Sequence, residues 1–200
     1  MQKLGPRHRM CRRVGVAICG RPNCPVNKRP YPPGEHGRGR RRDSEYQLRL
    51  LEKQKLRAMY GVGERQFRRY FAKAARRKGV TGEDLLRQLE TRLDAMTLRM
   101  GWALSLRQAR QLVSHGHVRL DGRRVNVPSA GVRPEQTMEL SDRARGFVGV
   151  RESLELASDL PPYLSRESGG GRGRLERWPE RHEIPLPAEV DERLIVEYYS

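Results

Sequence analysis

Apolar positions are sparse along this chain, and their spacing changes as it proceeds. From Ser44 the interval is helical, with Leu48, Leu51 and Leu56 leading up to about Tyr60. The segment "SEYQ", Ser44–Gln47, fits a capping box, in which a hydroxyl and an amide each satisfy a backbone N–H of the first turn. Gly61 and Gly63 interrupt. Phe67, Tyr70, Phe71, Ala74 and Ala75 then mark a second helical face, with Arg65, Arg68, Arg69, Lys73, Arg76, Arg77 and Lys78 filling the others. Gly79 is a natural stop. "TGED", Thr81–Asp84, opens a third helix carrying Leu85, Leu86, Leu89 and Leu93. These segments predict a small helical bundle with a cationic exterior.

From Arg92 the pattern reads helix, turn, helix, hairpin. Ser105 and Gln108 form another capping box, and Ala109, Leu112 and Val113 share one face, with Arg107 and Arg110 off it. His115 and Gly116 end that helix. Val118 and Leu120 alternate into Asp121–Gly122, and Val125 and Val127 alternate out, a strong hairpin signal. A third strand is expected at Thr137–Leu140 and a helix at Arg151–Ser158. "SGGGRGR", Ser168–Arg174, reads as a flexible loop or linker, and the terminal "RLIVEYYS" as a strand. The order of elements predicts an α+β fold.

Composition then narrows the chemistry. Of 200 residues only 36% are hydrophobic and 6% aromatic, so the core is modest. No apolar run approaches the roughly 20 residues of a membrane span, and no signal-peptide core is seen, so the chain is expected in the cytoplasm with no membrane partner. Lys and Arg number 41 against 24 Asp and Glu, a net charge of +17, and only six of the 41 are Lys. Guanidinium forks match phosphate and stack on bases, so this field points to nucleic acid. It is concentrated early: net +9 over residues 1–45, +8 over 46–93, +3 over 94–141 and −3 over 142–200. Within residues 1–43, Pro30, Pro32, Pro33 and Gly34 block regular structure. The basic run Arg40, Arg41, Arg42 is expected to order only on an anionic surface.

All three cysteines, Cys11, Cys19 and Cys24, lie in "PRHRMCRRVGVAICGRPNCP". In the cytoplasm clustered cysteines more often bind metal than form disulfides. Three thiolates are one short of a tetrahedral site, and His8, three residues before Cys11, is a candidate fourth ligand. Three free thiols are the alternative.

Several stretches together carry a resemblance. "RPYPPGEHG", "LRLLEKQKLRAMYGVGERQFRRYF", "LETRLDAMTLRMG", "RQARQLVSHGHVRLDGRRVNVPS" and "LIVEYYS" closely resemble the bacterial ribosomal S-four family, in the same order over nearly the whole chain. The resemblance implies an α-helical domain interrupted by an RNA-binding module of two short helices on a small antiparallel sheet. It would assign residues 1–43 to a basic extension with a metal knuckle, 44–92 to the helical domain, completed by 175–200, and 93–174 to the module. It implies a structural, non-enzymatic role in the small ribosomal subunit. That role is binding the five-prime domain of 16S rRNA early in assembly, with contacts to proteins S-five and S-three, to mRNA where it enters the subunit, and to decoding accuracy.

Many bacterial members carry Cys-x2-Cys and Cys-x4-Cys near the N-terminus. Here "HRMC" stands for the first pair and "CGRPNC" for the second, so the resemblance makes His8, Cys11, Cys19 and Cys24 a ligand set for one Zn2+. An iron–sulfur cluster, which usually takes all-cysteine ligation, is the lesser fit. Candidate RNA contacts are Arg40, Arg41, Arg42, Lys53, Arg57, Arg65, Arg68, Arg69, Arg107, Arg110, His115, His117 and Arg123. The related module also occurs in RNA-modifying enzymes, but no phosphate-binding Gly loop, nucleophile–base set or paired acid stands out, and no small-molecule substrate is expected. A metal-dependent DNA-binding regulator would need a recognition helix and dimer seam, and neither is evident.

Overall fold

The computed structural model describes residues 8–21, 23–39, 44–157 and 159–200, so the Arg40–Arg42 run lies outside the described residues. The chain divides into two compact units, residues 1–85 with 186–200, and residues 86–185.

The first unit opens with helix α1 (Arg9–Val14) and two short 3-10 turns, Pro25–Asn27 and Glu35–Arg38. Helices α2 (Glu45–Met59) and α3 (Glu64–Ala75) follow, and α4 (Thr81–Glu90) carries the chain into the second unit. The expected capping box starts α2: Ser44 Oγ accepts from the Gln47 N–H at 3.3 Å, and Gln47 Oε1 accepts from the Ser44 N–H at 3.2 Å. The helices bury Leu56, Tyr60, Phe67 and Ala74. The N-terminal segment is no separate body. Cys11, Ile18, Cys24 and Val26 form a small core against Ala58 and Met59 of α2 and against Ala188.

In the second unit, α5 (Leu93–Arg99) and α6 (Leu106–Ser114) precede strands β1 (Val118–Leu120), β2 (Arg123–Val125) and β3 (Thr137–Leu140). Helices α7 (Asp142–Arg145) and α8 (Val148–Leu156) lead to β4 (Leu164–Arg166) and β5 (Arg172–Leu175). The five strands form one antiparallel sheet in the order β2-β1-β3-β5-β4, with Val118 opposite Val125 and Leu120 opposite Met138. The Asp121–Gly122 turn has φ of +48° and +76°, the primed geometry that matches strand twist. Asp121 meets it because its carboxylate accepts the Thr137 N–H and the Gln136 amide. The core gathers Leu93, Met96, Met100, Trp102, Met138, Leu140, Tyr163 and Leu175, all under 3% exposed. The fold is thus α+β, helical elements with an antiparallel sheet.

Two expectations differ from this picture. The "SGGGRGR" segment is not a linker: it closes the β4–β5 hairpin and supplies β5. Trp102 Nε1–H donates to the Gly170 carbonyl at 2.6 Å, and Gly173 lies so close to Met100 that a Cβ would fall 2.7 Å from its sulfur. The terminal segment is a helix, α9 (Glu192–Tyr199), capped by Asp191, whose carboxylate accepts the Arg193 N–H. A short apolar run fits either period, and Ile195 and Tyr199 at i, i+4 serve the helical unit. There Tyr199 stacks on Phe71 at 4.3 Å and Arg49 pairs with Glu197 at 2.8 Å. The module's expected limits, 93 and 174, fall inside the sheet unit. Buried Glu90 is held there by Arg99 and by the Tyr163 hydroxyl, and the Glu176 N–H donates to the Tyr163 carbonyl.

Candidate nucleic-acid interface and metal centre

The sequence around the cysteines makes two tight reversals. Helix α1 stops at Gly15 (φ +74°), a second turn uses Gly20 (φ +65°), and Cys24 heads the Pro25–Asn27 turn. These turns bring His8, Cys11, Cys19 and Cys24 together, with one ligand atom from each lying within 4.8 Å of all the others. His8 Nδ1 is 3.4 Å from Cys24 Sγ and 3.7 Å from Cys19 Sγ. Tetrahedral zinc, with bonds of about 2.1 and 2.3 Å to N and S, sets ligand atoms about 3.5–3.8 Å apart, so the spacing suits such an ion. Cys11 and Cys24 are buried and Cys19 is half-buried.

The three thiols also perturb one another. Burial, with hydrogen bonds to the neighbouring Cys24 and Cys19, pushes the Cys11 thiol up to about 12. The Cys19 thiol is lowered: burial opposes ionisation, but the Arg21 backbone N–H and the other two thiols favour it. Three crowded thiolates need a cation to offset their repulsion, and these four side chains could hold a metal ion. The knuckle is tied to the Pro-rich segment through Tyr31. Arg12 donates to the Tyr31 carbonyl at 3.1 Å and lies 5.2 Å from its ring, while Arg38 lies 5.1 Å from the ring and donates to its hydroxyl.

The basic residues separate into two groups. Arg65, Arg68 and Arg69 are exposed on α3, and with Lys73 and Arg76 they recur at i, i+3, i+4, i+8 and i+11 opposite buried Phe67 and Ala74. The stripe is about 17 Å long at about 1.5 Å per residue. Arg57 is one-third exposed and bonded to Glu64 at 2.5 Å. Arg107 is exposed in the first turn of α6, Arg123 is exposed on β2, and His115 is the exposed C-cap of α6.

Lys53 and Arg110 are set apart from these exposed cations by ion pairs in which they are largely buried. Lys53 is 4% exposed, pairs with Glu64 at 2.9 Å and sits 4.0 Å from the Tyr198 ring centre, so it helps hold α9. Arg110 donates twice to Asp94, at 2.9 and 2.6 Å, and Asp94 is fully buried and also bonded to Arg92. Helical spacing placed Arg110 off the apolar face, but both cations meet a carboxylate that spacing alone does not reveal.

His117 is half-buried. Its Nδ1 lies 3.3 Å from the Ser141 hydroxyl, and its ring meets Phe147 edge to face at 5.0 Å. Burial, reinforced by Arg143, His115 and Arg124, lowers its pKa below the usual imidazole value. Arg124, Arg143 and Gln111 were not foreseen. Arg124 donates to the His115 carbonyl at 3.0 Å and lies over Gly116, where any Cβ would strike its guanidinium. Its signal was the hairpin register, which sets Arg124 directly opposite Arg119. Like charges across a strand pair are unfavourable without an external anion.

The model of the Ribosomal protein S4/S9 N-terminal domain matches residues 2–90, and that of the S4 domain matches residues 91–137. The chain is 46% identical over 206 residues to the small ribosomal subunit protein uS4 of Thermus thermophilus, covering 98% of each chain. It is 48% identical over 196 residues to that of Rubrobacter xylanophilus and 49% over 197 residues to that of Geobacillus stearothermophilus, covering 98% of this chain and 97% of each relative. Together these matches span both compact units, and the chain belongs to the uS4 family of small ribosomal subunit proteins.

Proposed function

We propose that the chain is a primary binder of the five-prime domain of 16S rRNA that helps fold that RNA early in small-subunit assembly. As a uS4 family member it is a ribosomal protein and not an enzyme. The reading rests above all on near-full-length identity with uS4 proteins that are themselves 46–49% identical to it. The exposed stripe Arg65, Arg68, Arg69, Lys73 and Arg76 supports it as a track for phosphates. In the sheet unit Arg119 and Arg124, paired across the hairpin, form a second cationic face with His115 beside Arg124, and Arg107 and Arg123 are exposed elsewhere in that unit. The two faces suit a junction of RNA helices better than a single recognition helix would.

In this reading the helical domain is one body interrupted by the RNA-binding module. His8, Cys11, Cys19 and Cys24 hold one zinc ion that fixes the basic knuckle. The protein acts in the cytoplasm, beside proteins S-five and S-three and the entering mRNA, where it contributes to decoding accuracy, and Arg40, Arg41 and Arg42 bind RNA, either the rRNA nonspecifically or the incoming mRNA. The test of the RNA claim is the salt dependence of binding to a 16S five-prime-domain transcript. Replacing Arg65, Arg68 and Arg69 by Gln should lower the log–log slope by about 2–3, at about 0.7–0.9 per phosphate, with the melting temperature unchanged. An unchanged slope rejects the α3 stripe as a phosphate track.

A further inference from the structure

The sheet unit contains a cleft of about 390 Å³ bordered by α6, α7 and the start of α8. We propose that this cleft receives one unstacked RNA base against Phe147, with the adjoining phosphate on Arg143. The proposal rests on the RNA-binding reading above and names the part of the RNA that this site takes. The volume lies near the lower end of the range of small-ligand clefts, about 300–1,000 Å³, which suits a single nucleotide.

The lining is divided as a nucleotide is divided. Leu112 and Val150, 6% and 1% exposed, form an apolar floor. Phe147, met edge to face by His117, offers an aromatic ring on which any base can stack. The Ser141 hydroxyl occupies His117 Nδ1 and leaves Nε2 for a ligand. Gln111, exposed on α6, brings an amide donor and acceptor suited to a base edge. Arg143 is exposed at the rim and supplies the phosphate partner. No carboxylate lines the cleft among the described residues, so an anion-bearing planar group is favoured over a basic or purely apolar one. Phe147 and Arg143 lie beyond residue 137, where the S4 domain match ends, so the cleft joins that domain to a segment outside it.

The experiment compares the full chain with Phe147→Leu, which keeps apolar volume but removes the ring, and with Gln111→Ala, an exposed change that leaves folding intact. Affinity for the five-prime-domain transcript is measured across a salt series, beside NMR titrations with adenosine monophosphate, uridine monophosphate and inorganic phosphate. Phe147→Leu should weaken RNA binding about 5- to 30-fold, or about 1–2 kcal/mol at about 1.4 kcal/mol per decade, with the salt slope unchanged because no phosphate contact is lost. Gln111→Ala should weaken it by a smaller factor, again with the slope unchanged. The monophosphates should shift the Phe147 and His117 ring signals, and phosphate alone should not. Wild-type RNA affinity in both variants overturns the proposal while leaving RNA binding in place. Loss of monophosphate binding without loss of RNA affinity assigns the cleft to a free nucleotide and also overturns it. If the wild-type chain itself shows no salt-dependent RNA binding, the underlying reading fails instead.

Discussion

Replacing Arg110 by Gln separates two roles that sequence alone cannot tell apart, a phosphate contact and a buried counter-ion. Arg110 gives two charge-assisted hydrogen bonds to Asp94, whose carboxylate is 0% exposed and also takes two from Arg92 and the Ala95 N–H. Breaking a buried pair outright costs about 3–5 kcal/mol, and a hydrogen bond to a charged group is worth about 1.5–3 kcal/mol. Arg92 remains after the substitution, so the loss should be about 2–3 kcal/mol. For a unit of about 100 residues each kcal/mol moves the melting temperature about 4–8 °C, giving a drop of roughly 10–20 °C. Thermal unfolding followed through fully buried Trp102 reads this directly. The salt slope of transcript binding, measured at a temperature where the variant is folded, should not move. Arg107→Gln, on the exposed side of the same helix, should do the reverse: unchanged melting and a slope lower by about 0.7–0.9. If Arg110→Gln keeps the wild-type melting temperature and lowers the slope, the buried-network assignment is refuted.

Three further outcomes follow from single sites. Elemental analysis of protein purified without chelator should find one zinc per chain, and His8→Ala should lose it; native protein free of metal would reject the site. The pKa of His117 is held below its ordinary value of 6.5, first by burial and then by Arg143, so the neutral ring is favoured in the folded state. Stability is therefore full above pH 6.5 and declines as the pH falls through the depressed value. His117→Gln should flatten that part of the curve in urea titrations. Tyr199→Ala removes the ring stacked on Phe71 and the hydroxyl bonded to Glu64 at 3.2 Å, which should cost about 2–4 kcal/mol in helical-unit unfolding. A loss within experimental error would mean that α9 does not brace α2 and α3.

What the sequence disclosed, and what it withheld, divides along the range of the interaction. Capping at Ser44 and Ser105, the Asp121–Gly122 turn and the α3 stripe are set by residues a few positions apart, so periodicity and turn chemistry exposed them. The cysteine cluster was legible for the same reason: His8 to Cys24 is a short segment with its glycines in the turns. Partners far along the chain were not legible. Lys53 is answered by Tyr198 and Tyr199, and Glu90 by Tyr163, each across long sequence separations that no local pattern encodes. The terminal run failed differently, since eight mostly apolar residues satisfy periods of 2 and 3.6 alike until Asp191 caps them and Phe71 meets Tyr199. The consequence for function is specific. In a chain this rich in arginine, a cation's place on a helical wheel does not say whether it faces RNA, because buried carboxylates such as Asp94 and Glu90 claim some of the same side chains. Arg65, Arg68 and Arg69 lie exposed on α3, whereas the Arg110 guanidinium is already engaged by Asp94.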